Sequence, residues 1–197
     1  MKAADREALR LLLEAHLPAS PREAESRDLI LRFLAENPEA LGRENPAGHL
    51  TGSAWVLNRQ GDRALLTHHA KLGVWLQPGG HLEGDESALE ASLREAREET
   101  GLASLRLALP GLFDVDVHLI PARPGAGAHL HYDLRFLLVG DGEEPLVPSE
   151  ESRDLCWFDL ERLAAGAGDE SVRRMAAKSL RPSPSPREGG IMPGTPG

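Results

Sequence analysis

Three glutamates at the end of one predicted helix constrain this 197-residue chain more than any other feature. Glu95, Glu98 and Glu99 are spaced i, i+3 and i+4, so their side chains share one face of the last two helical turns. Like charges at this spacing repel each other, and Gly101, which is typical of a C′ residue, places them at the negative end of the helix dipole. Something positive should offset these charges, and carboxylate oxygens suit Mg²⁺, Mn²⁺ or Ca²⁺. The pattern predicts a divalent-metal site.

The overall composition is acidic, with 31 acidic and 22 basic side chains and a formal net charge of −9. This excess disfavours nucleic-acid polymers and anionic membranes as partners, but it allows small anionic ligands if a metal supplies positive charge. The single cysteine, Cys156, excludes an internal disulfide, and we expect it to be a buried core thiol. No apolar run is long enough to span a bilayer and the chain begins with charged residues, so we expect a cytoplasmic protein.

Three parts are predicted along the chain: an N-terminal helical extension (1–45), a domain of catalytic size (46–180) and a tail (181–197). The tail is rich in Pro, Gly and Ser, lacks a core pattern and is expected to be disordered. Within the middle part, short apolar runs at 54–57 and 64–67 flank a turn-rich spacer and predict a β-hairpin.

The N-terminal extension is predicted to form two helices joined by a short turn. Ser20 can cap the second helix, with Glu23 completing a capping box. The apolar stripe predicted for the first helix consists of Leu9, Leu12, Leu13 and Leu17. We expect this αα-hairpin to pack on the larger domain as an appendage. A homodimer interface is the alternative that the sequence leaves open.

The helix that carries the glutamates can begin at Asp85 or at Ser87. Its predicted buried stripe contains Leu89, Leu93 and Ala96. Small residues beside this stripe are expected to leave room for a ligand next to the carboxylates. These small residues are Ala88, Ala91 and Ser92.

Two later segments, 111–120 and 129–136, alternate apolar and polar residues as half-buried strands do. If they pair antiparallel, one face of the pair is entirely polar. That face contains Asp114, Asp116, His118, His129, His131, Asp133 and Arg135. Two interpretations stay open: a solvent-facing outer surface, which is usual for antiparallel sheets, or a cleft wall that contacts substrate or a further metal.

Fixed spacings link Gly80, Glu86 and the run Arg94-Glu95-Ala96-Arg97-Glu98-Glu99-Thr100-Gly101-Leu102. This pattern resembles the signature of the Nudix hydrolases, and its one soft departure is Ala96, where the family usually has a bulkier aliphatic residue. The resemblance implies an α/β fold, a Nudix-type α/β/α sandwich around a mixed β-sheet, with the αα-hairpin outside it. It also implies hydrolysis of a diphosphate bond in a nucleoside-diphosphate-linked substrate, such as a nucleotide sugar, a dinucleotide or a modified nucleotide.

The resemblance further implies a cofactor, Mg²⁺ or Mn²⁺, and the residues that hold it. Glu95 and Glu99 match the principal ligands, Glu98 an additional ligand, and the carbonyl of Gly79 completes the coordination in many members. The residues that match the brace of the signature are Arg94 and Glu86.

Residues outside the metal site are less constrained. In this family the general base comes from the signature or from a later loop, and our candidates, in order, are Glu150, Glu151 and Glu98. The candidates for contact with the substrate are Lys71, His118, Arg123, His129, His131 and Asp133.

Two other functions fit the same fold. A non-catalytic, nucleotide-binding regulatory module is the first, but such modules commonly have a degraded signature and this one is intact. An isomerase of isoprenoid diphosphates is the second, but it needs a catalytic cysteine, and Cys156 lies in an apolar predicted strand beside Trp157.

Overall fold

Five helices and eight strands make up the part of the chain that the computed structural model describes, residues 3–37, 42–122, 125, 127–166 and 168–181. In chain order they are α1 (Ala3–Ala15), α2 (Pro21–Glu36), β1 (Gly48–Leu57), β2 (Arg63–His69), β3 (Trp75–Leu76), β4 (Gly79–His81), α3 (Ala88–Thr100), β5 (Arg106–Leu107), β6 (Asp114–Ile120), β7 (His129–Val139), β8 (Ser152–Asp159), α4 (Leu160–Ala164) and α5 (Glu170–Ser179). The predicted tail lies outside the described residues from position 182 onward.

All eight strands belong to one mixed sheet centred on β1. β1 pairs parallel with β7 over its whole length and antiparallel with β2 and β4. β7 also pairs antiparallel with β5 and β6, and β2 pairs antiparallel with β3 and β8. The predicted mixed sheet and the β1–β2 hairpin are therefore both present.

β1 is longer than the apolar run at 54–57 suggested, because it begins at Gly48. All ten of its residues are buried. A strand that is covered on both faces need not alternate, and its polar residues can lie inside if they find partners. The alternation rule therefore missed the first half of this strand.

Two hydrophobic clusters lie on opposite faces of the sheet. Leu50, Ala54 and Val56 of β1 belong to the first cluster, together with side chains of α1, α2 and α3. Trp55 and Leu57 point to the other face, where they pack with residues of α4 and α5. Helices thus cover both faces, which gives the predicted α/β/α sandwich.

The N-terminal helices take part in the first cluster. Ile30, Phe33 and Leu34 of α2 are buried in it, and the ring of Phe33 stacks on Tyr132 of β7 at 4.0 Å between centroids. Only part of the stripe predicted for the first helix is correct, since Leu12 is 37% exposed, and Leu17 lies beyond the end of α1 and is 85% exposed. This packing agrees with the expected appendage, while the domain boundaries and the homodimer interface stay predictions.

Glu23 forms only half of the capping box expected at the start of α2. The Ser20 hydroxyl accepts a hydrogen bond from the backbone N–H of Glu23, at 3.2 Å. The Glu23 carboxylate does not return to Ser20. It accepts instead from the N–H of Ala19 and lies beside His16 and Lys178. Because the Glu23 carboxylate is fully buried, it needs charged or strongly polar donors. Its side chain therefore points toward these donors and away from Ser20.

The prediction for Cys156 is wrong, because its side chain is exposed. β8 pairs only with β2 among the described strands, and along it the buried Leu155 is followed by an exposed residue, as alternation requires.

No described helix combines the length and the apolar character needed to cross a lipid bilayer.

Candidate active site

One large cavity, of about 660 Å³, collects most of the residues predicted for the site. Its walls are formed by α3, by β1 and β4, and by the polar face of β6 and β7. The predicted residues that line it are Lys71, Gly79, Arg94, Glu95, Glu98, Glu99, His118, His129, His131, Asp133 and Glu151. A smaller cavity, of about 360 Å³, lies between α1 and α2 and contains none of them.

Local signals at both ends fix α3, the helix that carries the glutamates. Ser87 caps it with a full capping box: its hydroxyl accepts from the N–H of Glu90, and the Glu90 carboxylate accepts from the N–H of Ser87 at 2.8 Å. Gly101 ends the helix in the left-handed conformation, with φ of 75°. Of the two predicted starts, Ser87 is correct.

The small residues of α3 do not leave room for a ligand, so that prediction is wrong. They face β1 at Gly52, where an added Cβ would lie 2.4 Å from the carbonyl oxygen of Ala88 and 3.1 Å from the Cβ of Ala91. Leu89 and Leu93 are only half-buried. The small side chains therefore let the helix approach the sheet closely, which sets the position of the carboxylates.

Glu99 is a buried carboxylate in an electrostatically unfavourable place. It is 8% exposed, and its Oε1 accepts a hydrogen bond from the N–H of Gly79 at 2.9 Å. Burial raises the pKa of Glu99 to about 7; the Gly79 hydrogen bond opposes this rise, and the charges of Glu95 and Glu151 add to it. A cation placed here would relieve that cost.

Glu95 lies against the backbone of β4. A Cβ added to Gly80 would lie 2.2 Å from Oε1 of Glu95, and one added to Gly79 would lie 2.3 Å from Oγ of Ser53. Burial raises the pKa of Glu95, while Arg94 acts in the opposite direction. Gly79 is thus required for the close approach of β4 and β1, and Gly80 leaves space for the carboxylate of Glu95.

Arg94 connects the carboxylates to the loop before α3. Its guanidinium donates two hydrogen bonds of 3.0 Å to Glu86 and one of 2.9 Å to the carbonyl of His81. It also forms ion pairs of 3.1 Å with Glu95 and with Glu98. Glu86 itself does not line the cavity. This geometry agrees with a bracing role for Arg94 and Glu86.

The three glutamates fit a hard divalent cation in their chemistry, since they offer carboxylate oxygens and outnumber Arg94, the cation that pairs with two of them. Their oxygens are not gathered around one point, because Arg94 holds Glu95 and Glu98. Among the described residues, one group alone of three or more His, Cys, Asp or Glu side chains has all its ligand atoms within 4.8 Å of one another. That group is His49, His129 and His131.

The predicted pairing of β6 and β7 is present, with His118 opposite His131 and Asp116 opposite Asp133. The interpretation of their polar face as a solvent-facing surface is wrong. Arg135 is 2% exposed and ion-pairs with Asp133 at 2.7 Å and with Asp114 and Asp116 at 3.2 Å. Arg174 adds a second positive charge, 2.8 Å from Asp114 and 3.8 Å from Asp116, and the two arginines together allow these carboxylates to be buried beneath the cleft wall.

Asp133 belongs to this buried network. Arg135 and Gln77 contact one of its oxygens, and the hydroxyls of Thr51 and Ser53 donate to the other at 2.9 and 2.7 Å. Burial alone would raise the pKa of Asp133, but Arg135 and the other donors bring it below its ordinary value. Its partners are protein groups, which suits a supporting position behind the wall.

Two of the remaining candidates are exposed residues that line the cleft. Lys71 and Glu151 are exposed and 4.0 Å apart, and both line the cavity. Glu150 is exposed and does not line it, so the structure favours Glu151 over Glu150 as a group that faces the cleft. Arg123 lies outside the described residues.

Besides His69, sequence reasoning missed two histidines of the cleft, His49 and His81. Each lies next to glycine at the start or end of a strand, where alternation gives no signal. Their positions depend on the pairing of β1 with β4 and β7, which no local pattern reveals.

Residues 49–178 match the NUDIX domain. The chain belongs to the Nudix family. A Nudix protein of Lactococcus lactis, named "Probable DHNTP pyrophosphohydrolase", is 31% identical over 144 residues, which are 70% of this chain and 81% of that protein. The "Uncharacterized Nudix hydrolase YvcI" of Bacillus subtilis is 40% identical over 117 residues, 56% of this chain and 69% of that protein.

A solved structure supports the same assignment. A hydrolase of the NUDIX family from Clostridium perfringens has a TM-score of 0.54 and 28% identity, and the match covers 69% of this chain and 97% of that chain. The predicted fold class and the predicted enzyme class, a Nudix-type pyrophosphohydrolase, are therefore confirmed at the level of the family.

Proposed function

We propose that this protein hydrolyses a diphosphate bond in a small nucleoside-diphosphate-linked substrate and that Mg²⁺ or Mn²⁺ binds among the glutamates of α3. The observation that carries the proposal is the buried Glu99, whose negative charge has no cationic partner in contact with it among the described residues. The cavity of about 660 Å³ is within the usual range for small-molecule sites, roughly 300–1,000 Å³.

Glu95 and Glu99 would hold the metal, with Glu98 and the carbonyl of Gly79 as further ligands. Such a cation supplies positive charge to the phosphate oxygens and activates water. Arg94 keeps Glu95 and Glu98 in place through its ion pairs of 3.1 Å. Its own position is fixed by the bidentate contact with Glu86. Arg94 therefore limits the positions that Glu95 and Glu98 can take, and a bound metal would draw the carboxylates together.

Glu151 is our proposed general base. Two observations support this: Glu151 lines the cleft, and its charge adds to the raised pKa of both Glu95 and Glu99. As base it would take a proton from the water that attacks phosphorus, while the P–O bond to the leaving phosphate breaks. Glu98 is the weaker candidate, because Arg94 already occupies its carboxylate.

A panel of substrates tests this proposal. Purified protein with Mg²⁺ or Mn²⁺ is assayed on nucleotide sugars, dinucleotides and modified nucleotides, and on DHNTP because of the name of the Lactococcus relative. Glu99→Gln should reduce turnover of any substrate found by at least about 100-fold, since even indirect metal contacts are worth 10- to 100-fold. Glu143→Gln, in an exposed loop, is the matched control and should keep wild-type turnover.

A pair of variants distinguishes Glu151 from Glu150 as the general base. Glu151→Gln should lower kcat by about 10²- to 10⁴-fold, the usual contribution of a general base, and Glu150→Gln should not. The opposite result would return the role to Glu150. Calorimetric nucleotide binding without product on any member of the panel would instead favour the non-catalytic regulatory module.

A further inference from the structure

Five of the eight histidines in the sequence meet on one wall of the cleft. Four different strands supply them, and the ring centroids of contacting pairs are 4.6–5.4 Å apart. The five are His49 in β1, His81 in β4, His118 in β6, and His129 and His131 in β7. His131 is paired directly with His49 on one neighbouring strand and with His118 on the other. The register of the sheet therefore brings these histidines together.

Three of these histidines have the geometry of a metal site. The ligand nitrogens of His49, His129 and His131 all lie within 4.8 Å of one another. Three nitrogens bound at about 2.0–2.1 Å to one tetrahedral zinc ion are roughly 3.4 Å apart, so the rings would rotate toward the ion when it binds. No other group of this kind exists among the described residues.

His49 gives an independent indication of a ligand. It is 4% exposed, and neither of its ring nitrogens has a hydrogen-bond partner in the described part of the protein. A buried polar group without a partner costs about 1–3 kcal/mol, and a bound cation would satisfy one of the two nitrogens.

His129 is already oriented as metal-binding histidines usually are. Its Nδ1 lies 2.9 Å from the carbonyl oxygen of Gly127, which can only accept, so Nδ1 carries the hydrogen. The lone pair is then on Nε2. A backbone carbonyl that fixes the tautomer in this way is the common outer partner of a ligating histidine.

Burial disfavours the protonated form of the inner histidines, which agrees with the geometry of a metal site. Burial is the main reason that the pKa of His49 is about 4 and that of His131 about 3, and neighbouring histidines lower both further. Near pH 7 these rings are neutral, so they offer lone pairs and no positive charge. The exposed Arg43 also lowers the pKa of His49, but as a surface charge its repulsion of a metal is reduced by salt.

We infer that His49, His129 and His131 bind a Zn²⁺ ion through three imidazole nitrogens, with a fourth position open to the cleft. Imidazole favours zinc over magnesium, and three protein nitrogens with one open position are typical of zinc sites that exchange a ligand. The open position would accept water or an anionic oxygen of a ligand in the cleft. The site uses none of the glutamates of α3, so it does not depend on the function proposed above.

Zinc binding to the chelator-treated full chain tests the inference. Competition with a chromophoric chelator should show one Zn²⁺ per chain, and His131→Gln and the half-buried His129→Gln should each weaken it by at least about 100-fold. His68→Gln is the matched control, because His68 stacks on Trp75 and does not line the cavity. The double variant Glu95→Gln, Glu99→Gln should still bind one Zn²⁺. Circular dichroism of each variant verifies the fold.

Cobalt provides a second readout that needs no activity. Co²⁺ in the wild type and in the glutamate double variant should show the intense visible bands of a four-coordinate site with nitrogen ligands, and His131→Gln should lose them. Equal zinc affinity of His131→Gln and His68→Gln would overturn the inference. So would zinc binding or cobalt bands that disappear in the glutamate variant and persist in the histidine variants.

Discussion

Replacing Glu23 by glutamine should lower the free energy of unfolding by about 3 kcal/mol at pH 7. The carboxylate of Glu23 is fully buried and joins three segments of the chain. It lies 2.8 Å from Nε2 of His16 and 2.6 Å from Nζ of Lys178 in α5, and it accepts from the N–H of Ala19 at 2.6 Å. Lys178 also donates to the carbonyl of Phe113.

The magnitude follows from the pKa of this carboxyl group. Burial alone would raise the pKa of Glu23, but the hydrogen bonds from His16, Lys178 and Ala19 outweigh burial and lower it from 4.5 to about 2. Each unit of difference between the folded and unfolded pKa corresponds to about 1.4 kcal/mol, so the ionised Glu23 stabilises the fold by about 3 kcal/mol relative to a neutral side chain. Because the folded-state pKa is depressed, the stabilisation is complete above the unfolded value near 4.5 and is lost as the pH falls through about 2.

Urea unfolding followed by circular dichroism measures this effect. The difference between wild type and Glu23→Gln should shrink from about 3 kcal/mol at pH 7 to roughly 1 kcal/mol at pH 3. Glu25→Gln is the matched control, since Glu25 is exposed on the same helix, and its effect should stay within about 0.5 kcal/mol. A Glu23→Gln variant as stable as Glu25→Gln, or a loss that does not change with pH, would refute the reasoning.

Two further substitutions test the site and its support. Gly80→Ala should weaken Mg²⁺ or Mn²⁺ binding by more than about 10-fold in calorimetry, because the new Cβ would lie 2.2 Å from Oε1 of Glu95. Arg135→Met should reduce stability by about 3–5 kcal/mol in urea, because the buried Asp133 loses its ion pair, whereas Asp114 and Asp116 keep Arg174. A loss below about 1 kcal/mol would contradict that network.

The features of the site that the sequence predicts best are those fixed by local chemistry. Ser87 and Gly101 define the ends of α3, and the spacing of the glutamates between them needs no tertiary information. The alternation of β6 and β7 likewise predicts which residues share a face. It does not predict whether that face is covered, and the burial of Arg135 had no local signal.

Features that depend on distant partners could not be predicted from the sequence. Lys178 meets Glu23 across 155 positions of the chain, so the capping-box pattern alone gave the wrong direction for that carboxylate. His49 joins the cleft only through the pairing of β1 with β7. The role of Ala91 and Ser92 could not be predicted either, because small side chains are compatible both with an open cavity and with close packing of a helix on a sheet.

The parallel pairing of β1 with β7 has a consequence for how the protein folds. It brings together residues such as Thr51 and Asp133, which are 82 positions apart in the chain. Contacts between such distant residues pay a large loop-closure entropy and form slowly. The histidine wall should consequently assemble late in folding, after α3 and its glutamates have reached their local structure. A nascent chain would then acquire its carboxylates before it acquires the pocket around them.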